Sequence, residues 1–157
     1  MEKELETNLE KLSEHIITMI PQPWATVKLF AYVDDEALTS FFYYTTKNDN
    51  QVIYSHDIPS LFSMNEDEFE SVSQVLIFMI DDLIDAFLEK EQELWRSLTL
   101  TLVDDGHFNV EYNYDDEFEN SLLAQIVWTY QHFGLKPGSK YELELLNDYL
   151  EKLANEN

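Results

Sequence analysis

Asp115, Asp116, Glu117 and Glu119 fall within five positions of "YNYDDEFEN", and no Lys or Arg stands near them. Carboxylates at this density can cage a divalent cation, work as an acid–base pair, form a solvated face, or meet a basic partner. A calcium loop needs acids at alternating positions, a central Gly and a terminal Glu, and "DDEFEN" lacks that framing. A helix beginning early would let Asp115 and Glu119 face each other, but one such pair among 32 acidic residues is weak support for a metal or a catalytic dyad. The solvated face outweighs the metal site.

The other reactive residue types are sparse. The four histidines, His15, His56, His107 and His132, form no zinc-binding pair. His56 and Asp57 adjoin in "YSHDIP", half of a possible dyad with no nucleophile placed for it. Neighbours on an extended segment point opposite ways, so a loop anchor bonded to backbone is expected at His56. No Lys or Arg occurs between Lys47 and Lys90 or between Arg96 and Lys136, and no Gly-rich phosphate loop exists. The absence of cysteine excludes disulfides, thiol catalysis and cysteine-ligated zinc.

Tyr112 and Tyr114 lead directly into the acidic run. Tyr offers rigid contact area with a polar tip, and binding hot spots favour it. The chain carries a formal charge of −23, which opposes binding to nucleic acid or anionic membrane and favours a basic protein partner. The candidate partner-binding set is therefore Tyr112, Tyr114, Asp115, Asp116, Glu117 and Glu119, with His56 and Asp57 as a second place to look. No cofactor is expected. The charged start and short apolar runs predict a soluble, cytoplasmic protein.

These residues need elements to hold them. Leu5, Leu9, Leu12, Ile16 and Met19 recur at helical spacing up to "PQP". "WATVKLFAYV" and "LTSFFYYTT" read as a hairpin, with a third strand at Gln51 to Tyr54. Aromatic residues on both faces predict a sheet covered on one side and partly sticky on the other. Asn65 and Glu68 cap a long central helix ending near Gln92, with Met64 and Phe69 placed as a staple. Its expected buried stripe is Phe69, Val72, Leu76, Ile80, Leu83 and Phe87. "SLTLTLVDDGHFNVEYNY" is a second hairpin, whose Asp105-Gly106 turn is expected to need positive φ at both positions. A helix follows over Ser121 to Phe133, with Leu122, Leu123, Ile126, Val127 and Tyr130 apolar and Gly134 as its stop. Ser139 and Glu142 cap the last helix, whose apolar side is Leu143, Leu146, Leu150 and Leu153. The expectation is one domain over residues 1–157, of α+β class: an antiparallel sheet built from hairpins, covered by a long central helix with N- and C-terminal helices.

"YSHDIP", "LWRSLTL" and the junction of Gly106, Phe108, Tyr112, Tyr114, Asp115 and Asp116 resemble the YezG-type antitoxin family of EsaG-like immunity proteins. The resemblance runs over nearly the whole chain, from the first helix through "IPQPW" and "IYSHDIP" to "QIVWTYQHFG". It implies a non-enzymatic cytoplasmic protein that binds and neutralises a YeeF-like or EsaD-like nuclease toxin exported by type VII secretion. It supplies no residue-level binding map. An acidic adaptor or export chaperone, or a metal-assisted enzyme using the acidic junction with His56 or His107, stand as alternatives.

Overall fold

In the computed structural model, which describes residues 2–35, 37–115 and 117–156, α1 (Glu2–Met19) leads into β1 (Trp24–Val33) and β2 (Leu38–Thr46). The short strand β3 (Val52–Tyr54) runs through a 3-10 turn (Ser55–Asp57) into α2 (Ile58–Leu61). Then follow α3 (Glu66–Glu89), β4 (Ser97–Val103), β5 (Phe108–Asn113), α4 (Ser121–Phe133) and α5 (Lys140–Glu156). The class is α+β. Backbone contacts divide the chain into two compact units, Met1–Tyr114 and Asp115–Asn157.

The first unit is built on an antiparallel sheet of order β3-β2-β1-β4-β5. Strand alternation puts Val27, Leu29 and Ala31 on one face with Phe42, Tyr44, Leu98, Leu100 and Leu102. That face packs on Leu12 and Ile16 of α1 and on Leu76, Ile80, Leu83 and Phe87 of α3 in one continuous core. The opposite face differs from the expected sticky surface. Phe30, Tyr32 and Phe41 are buried. Phe30 and Phe41 are cross-strand partners, and so are Tyr43 and Tyr54. Their rings touch in sequence, with Phe30–Phe41 at 5.7 Å, Phe41–Tyr43 at 5.9 Å and Tyr43–Tyr54 at 4.9 Å between centroids. Cross-strand aromatic pairs of this kind add to the stability of the sheet.

The cap of α3 forms as the spacing predicts: the Asn65 side chain accepts from the Glu68 N–H at 3.0 Å. Such a cap stabilises by about 1 kcal/mol. The buried stripe starts later than expected, because Val72 is exposed and Phe69 only half-buried. α1 approaches that turn through a polar contact, with His15 Nε2 2.8 Å from the Val72 carbonyl oxygen. α3 ends at Glu89, and Glu91 follows in the left-handed region with φ 55°.

The β4–β5 turn also departs from expectation. Gly106 has φ 97°, but Asp105 is not among the residues with positive φ. The Gly106 N–H bonds to the Val103 carbonyl at 3.0 Å and the Val103 N–H to the His107 carbonyl at 2.9 Å. This is a three-residue loop closed by one left-handed glycine, where a two-residue turn would need two.

In the second unit, Ile126 and Val127 of α4 and Leu146 of α5 form the buried centre, with Phe118, Leu123, Tyr130, Leu145, Tyr149 and Leu150 against it. Two expected core positions are exposed, Leu122 at 38% and Leu153 at 40%. Ala124 and Trp128 are buried instead. At about 100° per residue, Leu122 is rotated away from the side that carries Ala124, Val127 and Trp128. Asn120 caps α4, its side chain accepting from the Leu123 N–H at 3.0 Å, and Gly134 stops it with φ 69°. The Ser139–Glu142 cap forms in a modified way. Ser139 Oγ accepts from the Glu142 N–H and donates to the Glu142 carboxylate at 2.8 Å.

Candidate functional site

α4 starts at Ser121, so the acidic run lies before the helix and no early turn stacks Asp115 on Glu119. Asp115, Glu117 and Glu119 are all exposed. Asp116 lies outside the described residues. Between Glu117 and Glu119, the half-buried Phe118 packs its ring on Tyr149 of α5 at 5.6 Å. Glu117 and Glu119 border a groove of about 280 Å³. Its apolar lining comes from Leu123 of α4 and from Leu145, Tyr149 and Leu153 of α5. Its charged lining is Glu117, Glu119, Asp148 and Glu156, with Lys152 the one cation.

The electrostatics of the groove register on Tyr149. Burial, and then the charges of Glu117 and Glu156, push its hydroxyl pKa up. Each favours the neutral phenol over an added anion. The α5 half of the groove was missed in the sequence, although the signal was present. Leu145, Tyr149 and Leu153 recur at four-residue steps beside a second row of Asp148, Lys152 and Glu156.

The two tyrosines of the candidate set have different surroundings. Tyr112 stacks on Trp95 at 6.3 Å and meets Phe87 edge-on at 5.3 Å, so its ring closes the end of the core. Burial raises its hydroxyl pKa, with a smaller contribution from Tyr114. Tyr114 is 45% exposed. It borders a hollow of about 290 Å³ with Asp34, Asp35, Glu93 and Arg96.

His56 and Asp57 lie just beyond β3, at the opposite edge of the sheet from β5 and Tyr112. Four interstrand spacings of about 4.8 Å separate those edges by roughly 19 Å. They form no single surface with the tyrosines. His56 is not the expected backbone anchor either. Its Nδ1 pairs with the Tyr54 hydroxyl at 2.9 Å. The anchor of this loop is Ser55, buried, whose Oγ accepts from the Phe42 N–H at 3.1 Å. Ile58 and Pro59 are buried behind it. A small hydroxyl residue between a strand and a turn is the only sequence signal Ser55 gave. Among the described residues, no three His, Asp or Glu side chains converge as a metal site.

A family model described as "Immunity protein YezG-like" matches residues 5–147. The chain belongs to the YezG-like immunity protein family. It is 31% identical over 144 residues to Immunity protein YezG of Bacillus spizizenii, covering 90% of this chain and 89% of that one. The same identity holds over 142 residues with Immunity protein YezG of Bacillus subtilis, covering 88% and 94%. Type VII secretion system protein EsaG of Staphylococcus aureus is 28% identical over 151 residues, covering 94% and 92%. The match includes β5, the acidic run, α4 and the start of α5, and so Glu117, Glu119, Leu123 and Leu145 of the groove, while Asp148, Tyr149, Lys152, Leu153 and Glu156 lie beyond it. Membership places the chain among immunity proteins and not among enzymes. Among the described residues, no helix is long and apolar enough to cross a membrane.

Proposed function

We propose that this chain is an antitoxin, with residues 1–157 acting as one immunity domain. It binds and neutralises a cognate type VII-secreted nuclease toxin in the cytoplasm of the producing cell, through an acidic and aromatic surface and without a cofactor. The family role supports the immunity function, and the name of the staphylococcal relative supports the link to type VII secretion.

The observation that carries the acidic-surface reading is the α4–α5 groove, where Glu117, Glu119, Asp148 and Glu156 surround an apolar lining. A nuclease must present cations to phosphates, and a carboxylate surface can occupy those cations in their place. A charge of −23 also draws such a partner in, raising association roughly 10- to 1,000-fold. Charge alone does not select a partner, and the apolar lining supplies contacts that a polyanion lacks. A stable complex buries about 1,600 Å² in total, so the groove is one part of the interface.

The test is to co-express the chain with candidate nuclease domains and score survival and DNA integrity. Protection with intact DNA, together with loss of nuclease activity in the purified complex, is the expected result. A complex whose nuclease stays active sinks the inhibitor reading and favours the adaptor.

A further inference from the structure

The groove has a shape that restricts what fills it. Its volume of about 280 Å³, partly apolar and open to solvent, has room for a few side chains. It suits anchoring side chains of a polypeptide. Leu153 is 40% exposed beside the half-buried Leu123, Leu145 and Tyr149. Four carboxylates and one ammonium border them. A second copy of this chain brings the same −23 charge to the contact, and nucleic acid and anionic lipid bring phosphates. A polycation without apolar side chains satisfies the carboxylates but leaves the leucines wet.

We propose that the α4–α5 groove receives an amphipathic basic segment of the toxin, its apolar side chains seated on Leu145, Tyr149 and Leu153 and its Lys or Arg side chains paired with Glu117, Glu119, Asp148 and Glu156. This rests on the antitoxin reading. The geometry gives the segment its pattern. The apolar lining of α5 advances by one turn from Leu145 to Tyr149 to Leu153, so anchors recur at three- or four-residue spacing if the segment is helical. The carboxylates come from two elements, Glu117 and Glu119 from the loop before α4 and Asp148 and Glu156 from α5. The basic residues of the segment are therefore set among its anchors rather than gathered at one end. Lys152 favours one acidic or carbonyl group opposite it.

The experiment uses the full chain labelled with nitrogen-15 and two probes. One is a designed peptide with Leu at three- and four-residue spacing and Lys between; the other is oligolysine of equal charge. The amphipathic peptide is expected to bind about tenfold or more tighter, since each apolar side chain removed from water adds at least that factor. Its largest shifts should fall on Leu123, Leu145, Tyr149 and Leu153. Leu153→Asp should remove the advantage of the amphipathic peptide while leaving oligolysine binding intact or stronger. Because Leu153 is already exposed, this variant should keep the parent's melting temperature. Equal affinity for the two probes, or shifts confined to other elements, overturns the proposal. Protection against the nuclease is scored in parallel. If the parent protects and folded Leu153→Asp protects equally, the groove assignment falls while the antitoxin reading stands. If the parent forms no complex with the candidate nuclease domains, the antitoxin reading falls, and the toxin segment with it.

Discussion

The Tyr54 hydroxyl and His56 Nδ1 lie 2.9 Å apart, with the two rings 4.8 Å between centroids. His56 is exposed as a residue, yet the ring face turned to Tyr54 is shielded from water. That desolvation lowers its pKa below the ordinary 6.5, and the nearby Asp57 charge opposes the drop. Burial, Tyr43 and Asp57 push Tyr54 up to about 12, so it stays a neutral phenol at physiological pH. The folded state binds the imidazole proton more weakly than the unfolded chain. The stability from this group is therefore full above 6.5 and is lost as pH falls through that value toward the folded midpoint. An NMR titration should place His56 below 6.5, and Asp57→Asn should lower it further. Between about pH 7.5 and 5.5, His56→Gln should lose less melting temperature than the parent. A midpoint at or above 6.5 contradicts this.

Gly106 has φ 97°, and a Cβ built on it meets nothing within 4 Å. The penalty for a side chain there is therefore backbone strain alone. Gly106→Val should cost about 1–3 kcal/mol, because a β-branched residue tolerates this region poorly. Urea denaturation checks it, and an unchanged midpoint would show that the loop re-forms differently.

Glu91 presents the reverse case. Its N–H bonds to the Leu88 carbonyl and the Gln92 N–H to the Phe87 carbonyl, so α3 closes with a Schellman motif around a left-handed glutamate. Glycine usually fills that position because a Cβ there costs about 1–2 kcal/mol. Glu91→Gly should raise stability by about 1 kcal/mol, read as a higher denaturation midpoint at unchanged slope.

These two glycine arguments separate what could be read in the sequence from what could not. Period-two and period-3.6 patterns over ten or more residues located the strands and long helices, and Asn65 and Ser139 marked helix starts through side-chain chemistry. Val72 and Leu153 depart from expectation because periodicity names a face and not the point where the covering element ends, and Leu122 because it is rotated off the buried side of α4. Glu91 gave no signal, since a left-handed residue held by Schellman bonds need not be glycine. The site was half legible. The acidic run stood out by density, but its partners Asp148 and Glu156 lie on α5, and only packing of that helix against Phe118 and Leu123 assembles the groove. Tyr112 and Tyr114 are alike in sequence. Their division follows from where β5 ends relative to Trp95.

That division is testable by stability. Tyr112→Ala removes a ring packed on Trp95 and Phe87 and should cost about 2 kcal/mol, below the 3–5 kcal/mol typical of a fully buried aromatic because Tyr112 is only half-buried. Tyr114→Ala should stay within about 0.5 kcal/mol of the parent. Loss of protection in a Tyr114 variant is thus a binding effect, whereas in a Tyr112 variant it must be corrected for unfolding. Equal destabilisation of the two would place Tyr114 in the core as well.

Reversing Glu117 and Glu119 to Lys tests the acidic surface directly. Both are exposed, so the fold should change by no more than about 0.5 kcal/mol. Against the nuclease, charges at an accessible rim act mainly before contact. Association should slow by up to about tenfold at low salt and depend less on salt than in the parent, while dissociation changes little. At about 1 M salt the Debye length falls to about 3 Å, and the association rates of parent and variant should converge. A deeply buried pair would behave otherwise, with dissociation accelerated and a cost of about 2–5 kcal/mol that salt does not remove. Stopped-flow association and surface-resonance dissociation, each measured across salt, distinguish the two, with circular dichroism as the folding control. If the folded double variant associates and protects like the parent at every salt concentration, Glu117 and Glu119 are only a solvated face. The interface must then be sought at the other edge of the sheet, beginning with Tyr54, His56 and Asp57.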